Sequence, residues 1–195
     1  MNSPRYRPAG LLIELGRHRV MIDGGGVAVP QAALDAWLVT DPRCELIAEI
    51  RRAARSFSLE AAVARYEGRG LRVVPRRVEH TAHPTYGYLI TAVRRRVAWV
   101  PEFLRFPRWA APADLVFADA AGWSRPICFA KRVGGHASVF AVSRSARRRG
   151  VTRLVFAHIG RPTIRALDRG DTPPWGEIGR EGSCYLLRPA RRRVY

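Results

Sequence analysis

The stretch from Leu34 to Ile47 constrains the fold more than any other part of the chain. Leu34-Asp35-Ala36-Trp37-Leu38-Val39 reads as a buried strand, Thr40 to Glu45 as a polar turn, and Leu46-Ile47 as the entry to a helix. Apolar Leu46, Ile47, Ile50 and Ala54 recur at helical spacing, which predicts a helix over Glu45 to Ser56. A strand that feeds a helix through such a turn belongs to a layered sheet-and-helix domain, where polar side chains at strand ends collect along one edge.

The rest of the chain fits that layout. Leu11–Leu15 and Arg19–Ile22 alternate around Gly16-Arg17-His18 as a hairpin, closed by Asp23 and the run Gly24-Gly25-Gly26. Leu59–Tyr66 reads as a second helix. Strands are expected at Leu71–Val78, Tyr86–Val93, Val97–Val100, Leu115–Phe117 and Leu154–Ala157. Ser138–Arg149 reads as an amphipathic helix with Val139, Val142 and Ala146 inward, stopped by Gly150. Asp171–Gly182 is a Pro- and Gly-rich loop and Ser183–Leu187 a last strand; Arg191–Arg193 reads as a frayed end. No internal repeat is present. The order predicts an α/β fold: an αββα sandwich of two mixed sheets flanked by helices, in one domain over 1–195.

Length and composition agree. With 195 residues, 47% of them hydrophobic, the chain can bury a proper core. It has no apolar run of about 18 residues, so no membrane partner is expected. Met1–Pro8 lacks an apolar signal core, and a cytoplasmic location follows as the expectation. Cys44, Cys128 and Cys184 form neither a disulfide framework nor a CxxC knuckle. The formal charge is +18, from 34 basic and 16 acidic residues, and Lys131 is the only lysine. That field suits anionic small molecules or nucleic acid. Arg, Ala, Gly and Pro in abundance with almost no Lys is also what a GC-rich genome writes, so composition leaves both readings open.

Asp41 with Glu45, His80, Glu102, Asp119 and His158 each fall just after a strand. On these positions the sequence resembles the metallo-β-lactamase superfamily. Val20-Met21-Ile22-Asp23-Gly24-Gly25 is similar to its opening segment, and His80 to Tyr88 to its third-motif histidine with the Gly-Tyr strand. Val97-Ala98-Trp99-Val100-Pro101-Glu102-Phe103 resembles the strand before the metal-bridging aspartate. Ala113 to Asp119 resembles the next buried strand, Gly135-His136-Ala137-Ser138 the Gly-His-x-Ser that opens a late helix, and Val155 to Arg161 the last ligand strand. The match spans residues 11 to 187. It points to the phosphodiesterase side, which includes tRNA 3′-end processing nucleases and small cyclic-phosphodiester hydrolases.

The departures lie in the Thr-His-x-His-x-Asp-His motif. Asp41 and Arg43 stand where two histidines would be, Glu45 where the aspartate would be, and Leu46 where the last histidine would be. Leucine cannot ligate, and a guanidinium is never a ligand. The resemblance therefore implies one metal at most, held by Asp41, His80 and Glu102, or by Glu45, Glu102 and His158. Such mixed sets suit Zn²⁺, Mn²⁺ or Fe²⁺. Alternatively no metal binds, and Arg43 fills the cavity against Glu45 or Glu102 as an anchor for anionic substrate. His136 and Asp119 are the candidates for proton transfer, although His136 also suits a helix cap and Asp119 its own turn. His83, before Pro84, reads as a turn residue. Cys44 reads as a buried thiol or as a thiolate beside Arg43. Two functions follow: a hydrolase of phosphodiester-like or other anionic substrates with an altered metal site, or a metal-free relative that binds nucleic acid or a phosphorylated ligand. The oligomeric state stays open, a dimer included.

Overall fold

The computed structural model describes residues 5–25, 28–130 and 133–187, so Gly26 of the glycine run and the Arg191–Arg193 end lie outside the described residues. The chain opens with an antiparallel hairpin, β1 (Gly10–Leu15) and β2 (His18–Asp23), turning at Gly16 with φ of 56°. β3 (Ala36–Leu38) joins β2 in parallel. Helix α1 (Ile47–Arg55) follows, and β4 (Ala61–Ala62) returns to pair in parallel with β3. These strands form the first sheet, in the order β1-β2-β3-β4.

β5 (Tyr66–Gly68), β6 (Leu71–Val78), β7 (Thr85–Ala92) and β8 (Arg95–Val100) continue as an antiparallel meander. Beyond them come β9 (Ala113–Ala120), a short ribbon of β10 (Ile127–Cys128) and β11 (Gly135–His136), and helix α2 (Val139–Arg148). β12 (Val151–Ile159), α3 (Arg161–Asp168) and β13 (Glu177–Ile178) complete the described fold. The second sheet has the order β13-β12-β9-β8-β7-β6-β5, with β8, β9, β12 and β13 parallel.

Strand alternation builds the layers. Val97 and Trp99 of β8 face the first sheet, where they meet Val20, Ile22 and Leu38. Ala98 and Val100, one residue out of phase, face α2 and pack with Val139, Val142 and Ala146. On the far side Ile50 and Ala54 of α1 close over Met21, Trp37 and Val39. Two mixed sheets with helices outside are the expected αββα arrangement. Ser138 caps α2 by accepting from the Ala141 amide at 3.2 Å, as its Ser-x-x start requires. Among the described residues, no helix is long and apolar enough to cross a membrane.

Three expectations are corrected. Leu59–Tyr66 is not a helix: β4 pairs with β3, and Tyr66 starts β5. Its Ala, Glu and Arg residues favour a helix locally, but the Val39 amide donating to the Ala62 carbonyl at 3.1 Å shows that cross-strand pairing wins. Ser183–Leu187 is not a strand either. β13 already occupies the open edge of β12, so this segment packs through side chains, with Tyr185 edge-on to Phe117 at 5.1 Å. Finally, α3 was not expected. It spans eight residues, too few for a clear period, although Gly160 followed by Pro162 in its first turn is a helix-start signal.

Candidate functional site

The parallel strands of the second sheet end together, and the functional side chains collect there. His80 follows β6, Glu102 follows β8, Asp119 is the penultimate residue of β9, His136 ends β11, and His158 lies near the end of β12. A register shift between Phe156 and His158 sets His158 opposite Asp119.

Asp119 is fully buried and accepts three hydrogen bonds: from the Phe103 amide (3.1 Å), the Ala121 amide (2.8 Å) and His136 Nδ1 (2.8 Å). It therefore fixes both the segment that carries Glu102 and the ring of His136. His80 is held just as firmly. Its Nδ1–H donates to the Gly135 carbonyl at 3.0 Å, and its own carbonyl accepts from the Gly135 amide at 2.8 Å. Gly134 makes this approach feasible, because a Cβ there would lie 1.9 Å from the His80 carbonyl oxygen.

With Nδ1 committed on both rings, His80 and His136 are left with Nε2 for any ligand. Glu102 lies between the imidazoles: Oε2 is 3.5 Å from His80 Nε2, and Oε1 is 3.7 Å from His158 Nε2. The donor atoms of His80, Glu102 and His136 lie within 4.8 Å of one another. The His136 and His158 rings stack 5.2 Å apart with 6° between their planes. Two donors each about 2.1 Å from a tetrahedral ion stand roughly 3.4 Å apart, so the Glu102 contacts have the spacing of ligands sharing a cation. Nε2 of His80 and of His136 beside the Glu102 carboxylate, each ring backed at Nδ1 by a hydrogen-bond acceptor, fit a divalent metal.

The imidazoles differ electrostatically. Burial pushes His158 down to about 4, so it stays neutral and keeps its lone pair. Burial also works against protonation of His136, but the Asp119 hydrogen bond and charge, with the charge of Glu102, outweigh it and hold its pKa above the ordinary histidine value.

The second-motif turn behaves differently from expectation. Asp41 is buried, but its two oxygens contact His83 Nε2 at 2.9 and 3.0 Å, and Oδ1 also accepts from the Arg43 amide at 2.8 Å. It thus stays out of the His80–Glu102–His136 group, and so does Glu45, which is exposed. Arg43 is exposed too, and among the described residues it forms no ion pair with Glu45 or Glu102. Water solvates the guanidinium at lower cost than burial in the pocket would allow. Leu46 caps α1 and packs in the cluster beneath it. Cys44 is no thiolate, since burial pushes it up to about 11. His83, read as a turn residue, is instead the partner of Asp41; nothing in its spacing signals that pairing.

Asp23, at the head of this turn, accepts from the Thr40 amide (2.7 Å) and hydroxyl (2.9 Å) and from Trp99 Nε1 (2.7 Å). It thereby ties the first sheet to the strand that delivers Glu102. Burial raises its pKa to about 7 against those donors.

Solved structures share this fold across most of the chain. One is the metallo-β-lactamase fold protein YhfI from Bacillus subtilis, with a TM-score of 0.66 and 14% identity, covering 91% of this chain and 89% of that one. The chain has the metallo-β-lactamase fold. Zn²⁺-bound PqqB from Methylobacterium extorquens shares it at a TM-score of 0.63 and 16% identity, covering 91% and 86% of the two chains. A diphosphatase from the PhnP family does so at 0.57 and 16%, covering 88% and 80%. No protein-family model matches the sequence, and no curated protein matches it significantly. Within the metallo-β-lactamase fold, His80 and Glu102 follow second-sheet strands and His136 ends the β10–β11 ribbon, while the 41–46 turn contributes none to the group.

Proposed function

We propose that this chain is a metal-dependent hydrolase of phosphodiester or other anionic substrates, working with a reduced metal site. The observation that supports it is the convergence of donor atoms of His80, Glu102 and His136 within 4.8 Å of one another. His80, Glu102 and His136 are the residues that would hold one Zn²⁺, Mn²⁺ or Fe²⁺, with His158 beside Glu102. When bound, such an ion lowers the pKa of water and polarises the scissile group. Asp119 accepts from Nδ1 of His136 and so fixes its ring with Nε2 left toward the ion. The diphosphatase neighbour and the +18 charge favour a phosphorylated substrate.

Metal analysis of the purified protein by mass spectrometry, with hydrolysis of a chromogenic phosphodiester, tests this reading. The expected result is about one ion per chain and metal-dependent turnover, both lost in Glu102→Gln. A second reading, a metal-free binder of an anionic ligand, is favoured by the Asp41–His83 pair and the exposed Glu45. Failure to take up Zn²⁺ or Mn²⁺ at micromolar concentration would decide for it.

A further inference from the structure

The opposite end of the sandwich has its own pattern. β8, β9 and β12 begin there, at Arg95, Ala113 and Val151, and β7 ends there at Ala92. Gly68, the last residue of β5, lies against the ring of His18 at the start of β2, which brings the first hairpin's turn to the same end. Four connections therefore meet, and each carries arginine: Arg17 in the β1–β2 turn, Arg69 between β5 and β6, Arg94 between β7 and β8, and Arg147, Arg148 and Arg149 where α2 gives way to β12.

All six are exposed, and none forms an ion pair among the described residues. The neighbouring acids are largely engaged. Glu14 pairs with Arg19, Glu67 with Arg65 and Arg72, and Asp114 with Arg95. Asp35 accepts from the Arg19 amide and lies beside His18, and with Glu60 it is too little to neutralise six cations.

From β12 to β6 the row crosses four strand spacings, about 20 Å, which is long enough for several successive phosphates. Guanidinium groups suit that ligand because their fork matches phosphate oxygens. The apolar surface here is small: Val93, 46% exposed at the tip of the β7–β8 turn, offers little to insert into a lipid bilayer.

We infer that this end is a docking surface for the phosphate backbone of nucleic acid, separate from the site and independent of whether that site is catalytic. The turns hold the arginines on short, hydrogen-bonded connections, so they form a fixed row rather than a floppy tail.

The test is fluorescence anisotropy with a labelled single-stranded RNA of about 20 nucleotides, titrated at several salt concentrations. Two charge-matched variants are compared with wild type. One carries Arg17→Gln, Arg69→Gln, Arg94→Gln and Arg149→Gln. The other neutralises four exposed arginines elsewhere on the molecule, by Arg51→Gln, Arg76→Gln, Arg165→Gln and Arg180→Gln. The first should bind at least about 10-fold more weakly near 50 mM salt, with the log–log salt slope reduced by about 3, while the second changes by about 2-fold or less. Amide chemical shifts of the wild-type protein should move with RNA at the four turns, which keeps the inference testable if a variant folds poorly. Equal weakening in both variants would show diffuse charge and overturn the inference. So would absence of RNA binding, or binding to phosphatidylserine vesicles without binding to RNA.

Discussion

Asp119→Asn is the most informative substitution. Asp119 accepts three hydrogen bonds at zero exposure. Asparagine has the same outline but a single acceptor oxygen. Placed at Oδ2, that oxygen keeps Phe103 and His136 and turns the new NH2 onto the Ala121 amide; placed at Oδ1, it keeps Ala121 and loses the other two. In the better orientation, two buried donors are left without acceptors and the bond to His136 becomes neutral. At about 1–3 kcal/mol for each unsatisfied buried group, the loss should be about 4 kcal/mol. A domain with the usual 5–15 kcal/mol or so would still fold. Urea unfolding followed by tryptophan fluorescence reads this as a lower midpoint at unchanged slope. NMR titration gives a second readout. With the Asp119 charge gone, burial dominates at His136, and its pKa should fall from above the ordinary histidine value to below it. A loss under about 1 kcal/mol with the His136 titration unmoved would refute the role given to this carboxylate.

Other consequences can be measured separately. His136→Ala should abolish metal uptake, whereas His158→Ala, which leaves the His80–Glu102–His136 group intact, should retain the ion; retention of the ion in His136→Ala would count against His136 as a ligand. Gly134→Ala should cost roughly 2–4 kcal/mol in thermal or urea unfolding, because its Cβ would meet the His80 carbonyl at 1.9 Å, while Gly16→Ala, with nothing within 4 Å, should cost only about 1 kcal/mol for its left-handed backbone. Asp23 gives a pH dependence. Its folded pKa of about 7 lies above the unfolded 3.8, so the folded state binds more protons and stability falls as pH rises through this window. Between about pH 5 and pH 7 the loss should approach 2 kcal/mol, flattened in Asp23→Asn; a wild-type slope of the opposite sign would contradict it.

The layers were legible because their signals are local. Alternation along β1, glycine at the turn it makes into β2, and the helical spacing of Ile50 with Ala54 and of Val142 with Ala146 all survive into the structure. Leu59–Tyr66 misled because the pairing that makes it extended comes from β3, more than twenty residues away in sequence. The site divides in the same manner. His80, Glu102, Asp119 and His158 stand at strand ends, and that placement follows from the strand pattern. The direction of the Asp41 carboxylate does not, because it depends on where the His80–Thr85 turn brings His83. Arg43 follows solvation rather than the vacancy left by a lost ligand.

The described site is built from one sheet. His80, Glu102, Asp119, His136 and His158 all hang from the second sheet or its ribbon, locked by Asp119 and Gly135. The turn at 41–46 is held by other bonds: Asp23 on Thr40, Asp41 on His83, and the Thr40 carbonyl on the Tyr86 amide. It is therefore a replaceable panel. Arg43 and Glu45, both exposed, can be exchanged while the opposite wall keeps its shape, whereas Leu46 is tied to α1 and its core.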